Sequence, residues 1–203
     1  MKMIRTRLGC TIWPGLLLWI LALSSPVETE LSREQGARLE RKIEEIAKNA
    51  AARPVQPKRT PMSETEINSY LAFNGKDKIP RGLSNPEIHI GNDGLSGRVF
   101  VDIDEFKRYR GSGGVLDPLS YLSGRVPLTA RGVLRTREGK GRFQLISAEI
   151  FGVQLPRPLV RELVAFFSRT AQKANGFDMD EPFDLPAKIR EVVVKKGEAV
   201  IVQ

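Results

Sequence analysis

The sequence predicts an α+β fold: a curved antiparallel sheet built from three hairpins, packed on or wrapped around one or two helices. Three observations predict it. From Gly124 to Arg137, Val126, Leu128, Ala130, Gly132 and Leu134 alternate with Arg125, Thr129, Arg131, Arg135 and Arg137, and a second strand-like run, Arg142 to Val153, follows a glycine turn. An apolar stripe at helical spacing comes directly after this pair. Two more strand–turn–strand patterns lie on either side, at 88–103 and 189–202. A period of two marks a half-buried strand, because successive side chains leave opposite faces of the pleat.

At 203 residues the chain fits one domain with an N-terminal extension. Lys2, Arg5 and Arg7 precede an apolar run from Cys10 to Leu23, and Ala22-Leu23-Ser24 suits a small-x-small cleavage site. This is the layout of a secretory signal peptide over residues 1–24. The run is shorter than the ~20 residues that span a bilayer and contains Pro14. Export, to the periplasm or another part of the cell envelope, is therefore expected. Cleavage would remove the only cysteine, and with it disulfide, thiolate and cysteine-metal chemistry. Loss of Lys2, Arg5 and Arg7 from 32 basic residues, against 24 acidic, leaves a net charge of +5. Outside the cytoplasm that balance points to anionic lipid or envelope polyanions more than to nucleic acid.

Residues 25–61 read as a helical leader and a proline-rich linker. Ser32 to Gln35 resembles a capping box, with Leu39, Ile43, Ile46 and Ala50 forming a thin stripe, and Pro54, Pro57 and Pro61 follow. The folded domain is expected over 62–203. It opens with a better capping box, Ser63 to Glu66, before Ile67, Tyr70 and Leu71, with Asn68 beside that face. Ile88 and Ile90 then alternate up to the Gly91–Gly94 turn, and Leu95 to Ile103 returns as the partner strand. Phe106 to Gly114 is basic, aromatic and glycine-rich and reads as a mobile loop, while Leu116, Leu119 and Leu122 suggest a helical turn or two.

In the central hairpin Glu138-Gly139-Lys140-Gly141 forms the turn. Phe143 and Leu145 share one face and Ile146, Ala148 and Ile150 the other, so either both faces are covered or a bulge near Ser147 re-aims the strand. Pro156 and Pro158 suit a helix start, and Leu159, Val160, Leu163, Val164, Phe166, Phe167 and Ala171 extend the stripe to about Lys173. Leu185-Pro186 leads into the third hairpin, turning at Lys195 to Glu198.

Catalytic chemistry is sparse. His89 is the single histidine, with neither an orienting partner nor a nucleophile identifiable. Asp178, Asp180, Glu181 and Asp184 lack the spacing of a calcium loop. Gly111 to Gly114 lacks the lysine of a phosphate-binding loop. A protein that is not an enzyme, with no cofactor and no metal, is expected.

Glu66-Ile67-Asn68-x-Tyr70-Leu71, the run from Gly124 to Pro156 with its ending Phe151-Gly152-Val153-Gln154-Leu155-Pro156, and Leu185-Pro186 carry a resemblance. Over Ser63 to Gln203 the chain resembles the LmeA-type phospholipid-binding family of bacterial envelope proteins, itself similar to the tubular lipid-binding superfamily. The resemblance implies a sheet wrapped on a helix, with an apolar groove for phospholipid or fatty acyl chains. It would be lined by Ile67, Tyr70, Leu71, Val126, Leu128, Leu134, Phe151, Leu163, Phe166 and Phe167. Arg131, Arg135 and Arg137 would dock on an anionic membrane surface. The function expected on this basis is lipid binding or transfer in the cell envelope. The alternative is an envelope interaction or assembly module without a lipid ligand.

Overall fold

The longest strands are the two of the central hairpin, β4 (Arg125–Arg137) and β5 (Lys140–Ile150), in a computed structural model that describes residues 30–92, 94–111 and 118–203. The expected signal peptide, Leu116 and most of the glycine-rich stretch lie outside the described residues. Glu138 and Gly139 both take positive φ, the conformation that a two-residue hairpin turn requires. The strands pair from Arg137 opposite Lys140 to Leu128 opposite Ile150, and one residue is skipped: Arg131 faces Ser147 while Gly132 faces Leu145. Ile146 is thus the extra residue of a β-bulge. Of the two readings of the parity slip, the bulge is the one found. It returns Ala148 and Ile150 to the face of Leu145, and both are buried.

Before this pair come β2 (Leu83–Ile90), β3 (Leu95–Asp102) and helix α3 (Ile103–Arg110). After it come β6 (Val153–Gln154), helix α4 (Arg157–Phe167) and β7 (Phe183–Asp184). The strands form one open six-stranded sheet in the order β2-β3-β4-β5-β6, with β7 on β5. All of its recorded pairings are antiparallel. Together with four α-helices among the described residues, this makes the chain α+β.

Helix α3 replaces the loop expected at Phe106. Asp102 caps it by accepting from Glu105 N at 3.0 Å, and Phe106 is 1% exposed. Helix α4 stops at Phe167, short of the expected Lys173. Ser168 Oγ donates to Val164 O and accepts from Phe177 N, both at 2.6 Å, so the chain folds back there. Gly176 makes the return possible: its φ is +73°, and a Cβ would lie 1.8 Å from Ala165 O. Leu119 is buried within a 3₁₀ turn at Pro118–Tyr121.

The third hairpin, β8 (Glu191–Lys195) and β9 (Glu198–Val202), pairs as a hairpin but not in the main sheet. It joins β1 (Arg59–Ser63) in a three-stranded sheet of order β1-β9-β8. The boundary expected at residue 62 therefore cuts a paired strand. Helix α1 (Arg33–Ala51) is likewise part of the fold and not a peripheral leader. Its Ile46 packs with Ile189 and Ile201, and the Gln203 amide donates to Ile46 O at 3.0 Å and Ala187 O at 2.7 Å. Gly36 lets α1 approach helix α2 (Glu64–Ser69) and the π-helical turn Tyr70–Asn74 that continues it; a Cβ there would lie 3.1 Å from Ser69 O.

Candidate functional site

The space between the main sheet and α4 is filled by side chains. Val126 and Leu163 are each 2% exposed and Phe167 9%, with Leu128 and Phe166 packed against them. Phe106, which the sequence did not nominate, occupies the centre. Its ring lies 5.4 Å from that of Phe166 and 6.4 Å from that of Phe167. The remaining nominated residues are elsewhere. Phe151 is exposed at the β5–β6 turn with φ +51°, Tyr70 packs its ring against Gly75, and Ile67 is half-buried on α2. Leu71 and Leu134 line two separate open clefts.

The first cleft, of about 740 Å³, lies between the far end of the central hairpin and β8. Thr136 sets its width, since its Oγ1 donates to Val192 O at 3.0 Å and accepts from Val192 N at 2.8 Å. Val133, Leu134, Val193 and Val194 give apolar walls; Arg135, Arg137, Lys140 and Arg142 give the charge, and Glu191 is the single acid of the lining among the described residues. Arg135 and Arg142 are direct cross-strand partners, so their side chains leave the same face of the sheet. Neither has an ion-pair partner among the described residues. Lys140 is held by Asp184 at 2.5 Å and Arg137 by Glu138 at 3.4 Å. Of the three arginines expected to dock on a membrane, two meet here. Arg131 lies farther along β4, beside His89 and Ile146. The alternation of β4 exposed Arg135 and Arg137 to sequence reasoning; Arg142 needed the register.

The second cleft, of about 540 Å³, opens between the π-helical turn and β2. Asn68 fixes the two elements together: it accepts from Ile88 N at 2.8 Å and its amide donates to Ile88 O at 2.7 Å. Glu64 accepts from Ile90 N at 2.6 Å. Two side chains of α2 thus satisfy backbone groups on the free edge of β2, where an open strand otherwise invites pairing with another chain. Asn68 is the polar contact that the sequence left open against simple exposure.

Glu64 also lies 3.1 Å from His89 Nδ1, an orienting partner that the sequence did not identify. No nucleophile accompanies the pair among the side chains it is recorded to bond. Asp180 is engaged by both Arg157 and Arg161, and these guanidiniums hold its carboxyl below the usual range. Among the described residues, no group of three His, Cys, Asp or Glu side chains is placed to hold a metal ion, and no helix is long and apolar enough to cross a membrane. Comparison with protein-family models, curated proteins and solved structures gave no match to this chain.

Proposed function

We propose that the protein is an exported, non-enzymatic binding module of the cell envelope that engages anionic lipid surfaces through the cleft beside Arg135 and Arg142. One observation carries the reading: Arg135 and Arg142 are direct cross-strand partners in the β4–β5 ladder, and neither is ion-paired with a carboxylate among the described residues. Like charges directly opposite on a sheet are destabilising, and an anion between the two guanidiniums reverses the sign. Near an anionic leaflet each cation contributes ~1 kcal/mol. Arg135, Arg142 and Arg137, whose exposed pairing with Glu138 is worth little, together supply about 3 kcal/mol, roughly a hundredfold in partitioning.

Co-sedimentation with vesicles tests this. The protein should bind phosphatidylglycerol-containing vesicles and not pure phosphatidylcholine, with binding weakened by salt. Arg135→Glu/Arg142→Glu removes two of these three cations and should lower partitioning by at least about thirtyfold. Equal binding to both vesicle types, or no effect of the double variant, defeats the proposal. The export part has its own test: the mature chain in the envelope fraction should begin near Ser25, and an intact Met1 in the cytoplasm overturns it.

The finer fold reading, a curved sheet wrapped on a helix as in the family the sequence resembles, belongs to the same proposal. It is supported by the first two hairpins sharing one sheet under α4. The packing of Phe106, Phe166 and Phe167 leaves the acyl chain no place between sheet and helix, so the proposal assigns none there. The interaction-module reading is favoured by one feature, the turn that carries Phe151 and Val153, each 66% exposed. A bulky residue at positive φ is unusual, and a folded protein that fails to bind either vesicle leaves that reading standing.

A further inference from the structure

The cleft between the π-helical turn and β2 is walled by two departures from regular backbone. Tyr70–Asn74 winds as a π-helix at the end of α2, and β2 breaks register between Ser84 and Glu87, with Asn85 at φ +48°. Both kinds of irregularity recur next to functional sites, because each moves backbone out of the position that close packing favours. Here they face each other, and the cleft between them is open. Asn68, which bonds both backbone groups of Ile88, and Glu64, which holds Ile90 N, keep α2 fixed on the edge of β2 beside the opening.

Its lining is chemically divided. Leu71, Ala72, Ile79 and Leu83 supply apolar surface, while Lys76 and Arg81 stand exposed within it. Neither cation has a carboxylate partner among the described residues. Glu87, the one acid of the lining among the described residues, lies opposite Arg98 in the β2–β3 register. An apolar trough with two unpaired cations complements a molecule with one apolar chain and one acidic end. Apolar surface with a few placed polar groups is also the usual make-up of a small-ligand site.

We infer that this cleft is a binding site for a single-chain anionic amphiphile of the long-chain carboxylate type, its chain against Leu71, Ala72 and Leu83 and its acidic group between Lys76 and Arg81. The site is distinct from the Arg135–Arg142 cleft and does not rest on the membrane reading. The two share a preference for anions but not a residue.

Titration of the full chain with the fluorescent fatty acid cis-parinaric acid tests it. The probe should bind with one site per chain and be displaced by palmitate, but not by hexadecyltrimethylammonium, which has the same chain and the opposite charge. Lys76→Glu/Arg81→Glu, at two exposed positions that leave the fold intact, should weaken binding at least about tenfold, since a tenfold change needs only ~1.4 kcal/mol. Ala72→Phe should block it by filling the trough, with circular dichroism verifying that the variant folds. Arg135→Glu/Arg142→Glu should leave parinarate affinity unchanged even where vesicle binding is lost. Absence of binding to the parent, as when the chain's own segment preceding Leu31 fills the cleft, overturns the inference. So does equal displacement by the cationic amphiphile, or unchanged affinity in both the charge-reversed and the filled variants.

Discussion

Phe106→Ala is expected to lower the unfolding free energy by about 3–5 kcal/mol, measured by urea denaturation, with the largest loss of any single truncation in the main core. Phe106 is 1% exposed and its ring meets both Phe166 and Phe167 in a cluster where those two lie 4.8 Å apart. Edge-to-face contacts add to the area that burial removes from water. Removing the ring leaves a cavity under two large neighbours, each anchored on α4, so collapse is only partial. The same number discriminates between a packed core and a ligand groove. A groove wall already faces space, and truncating it would cost far less. Phe151→Gly is the control. It removes an equally large side chain from an exposed position at positive φ, and stability should stay within about 0.5 kcal/mol. A Phe106→Ala penalty below about 1.5 kcal/mol would show that the sheet–α4 space is not a dry core.

Where the structure departs from the pattern of the sequence, the determinants are distant in the chain. The central hairpin was legible because its period-two alternation is local, and even its bulge left a trace in the slipped parity of Phe143, Leu145 and Ile146. Helix α3 was missed although its start signal was present: Asp102 caps Glu105, but both acids ended a convincing strand, and the aromatic and basic run after Phe106 leads into glycines. The end of α4 depends on Ser168 meeting Phe177 and on Gly176 reaching Ala165, contacts that a helical stripe does not announce. Helix α1 carries so thin a stripe that its burial could not be read. Much of its attachment is polar and long-range, through Gln203 to Ile46 and Lys42 to Glu66.

The site was legible in the same partial way. Arg135 and Arg137 stood out on one face of β4, whereas the partnership of Arg135 with Arg142 exists only in the paired register. Leu71 was singled out for a groove between sheet and helix, and the structure places it in the cleft beside β2 instead. Those surroundings were not legible, because a π-helical turn keeps residues at nearly helical spacing in the sequence and reveals itself only in space.

Glu66 is expected to give the second large effect, and one that depends on pH. Its carboxylate does three things at once. It accepts from Ser63 N at 2.9 Å in the capping box, bonds Lys42 Nζ through both oxygens at 2.7 Å, and so fastens α2 to α1. Burial pushes its pKa up, but the Lys42 ammonium and the Ser63 N–H outweigh that and hold it below the ordinary 4.5. Glu66→Ala removes a charged hydrogen bond and a cap, about 3 kcal/mol together. Glu66→Gln keeps an acceptor for Ser63 and isolates the charge, at about 1.5–2 kcal/mol. Because the folded-state value is depressed, the contribution of the charge is complete above the unfolded-state pKa near 4.5 and disappears as pH falls through the lower folded value. The difference between the parent and Glu66→Gln should therefore be flat from neutral pH down to about 5.5, then shrink as the solution becomes more acidic. Lys42→Met in the Glu66→Gln background should recover part of the loss, since an apolar side chain against a neutral amide leaves no uncompensated charge. A stability difference that stays constant to pH 3 would show that the Lys42–Glu66 pair does not join the two helices, and that α1 is held by its apolar contacts alone.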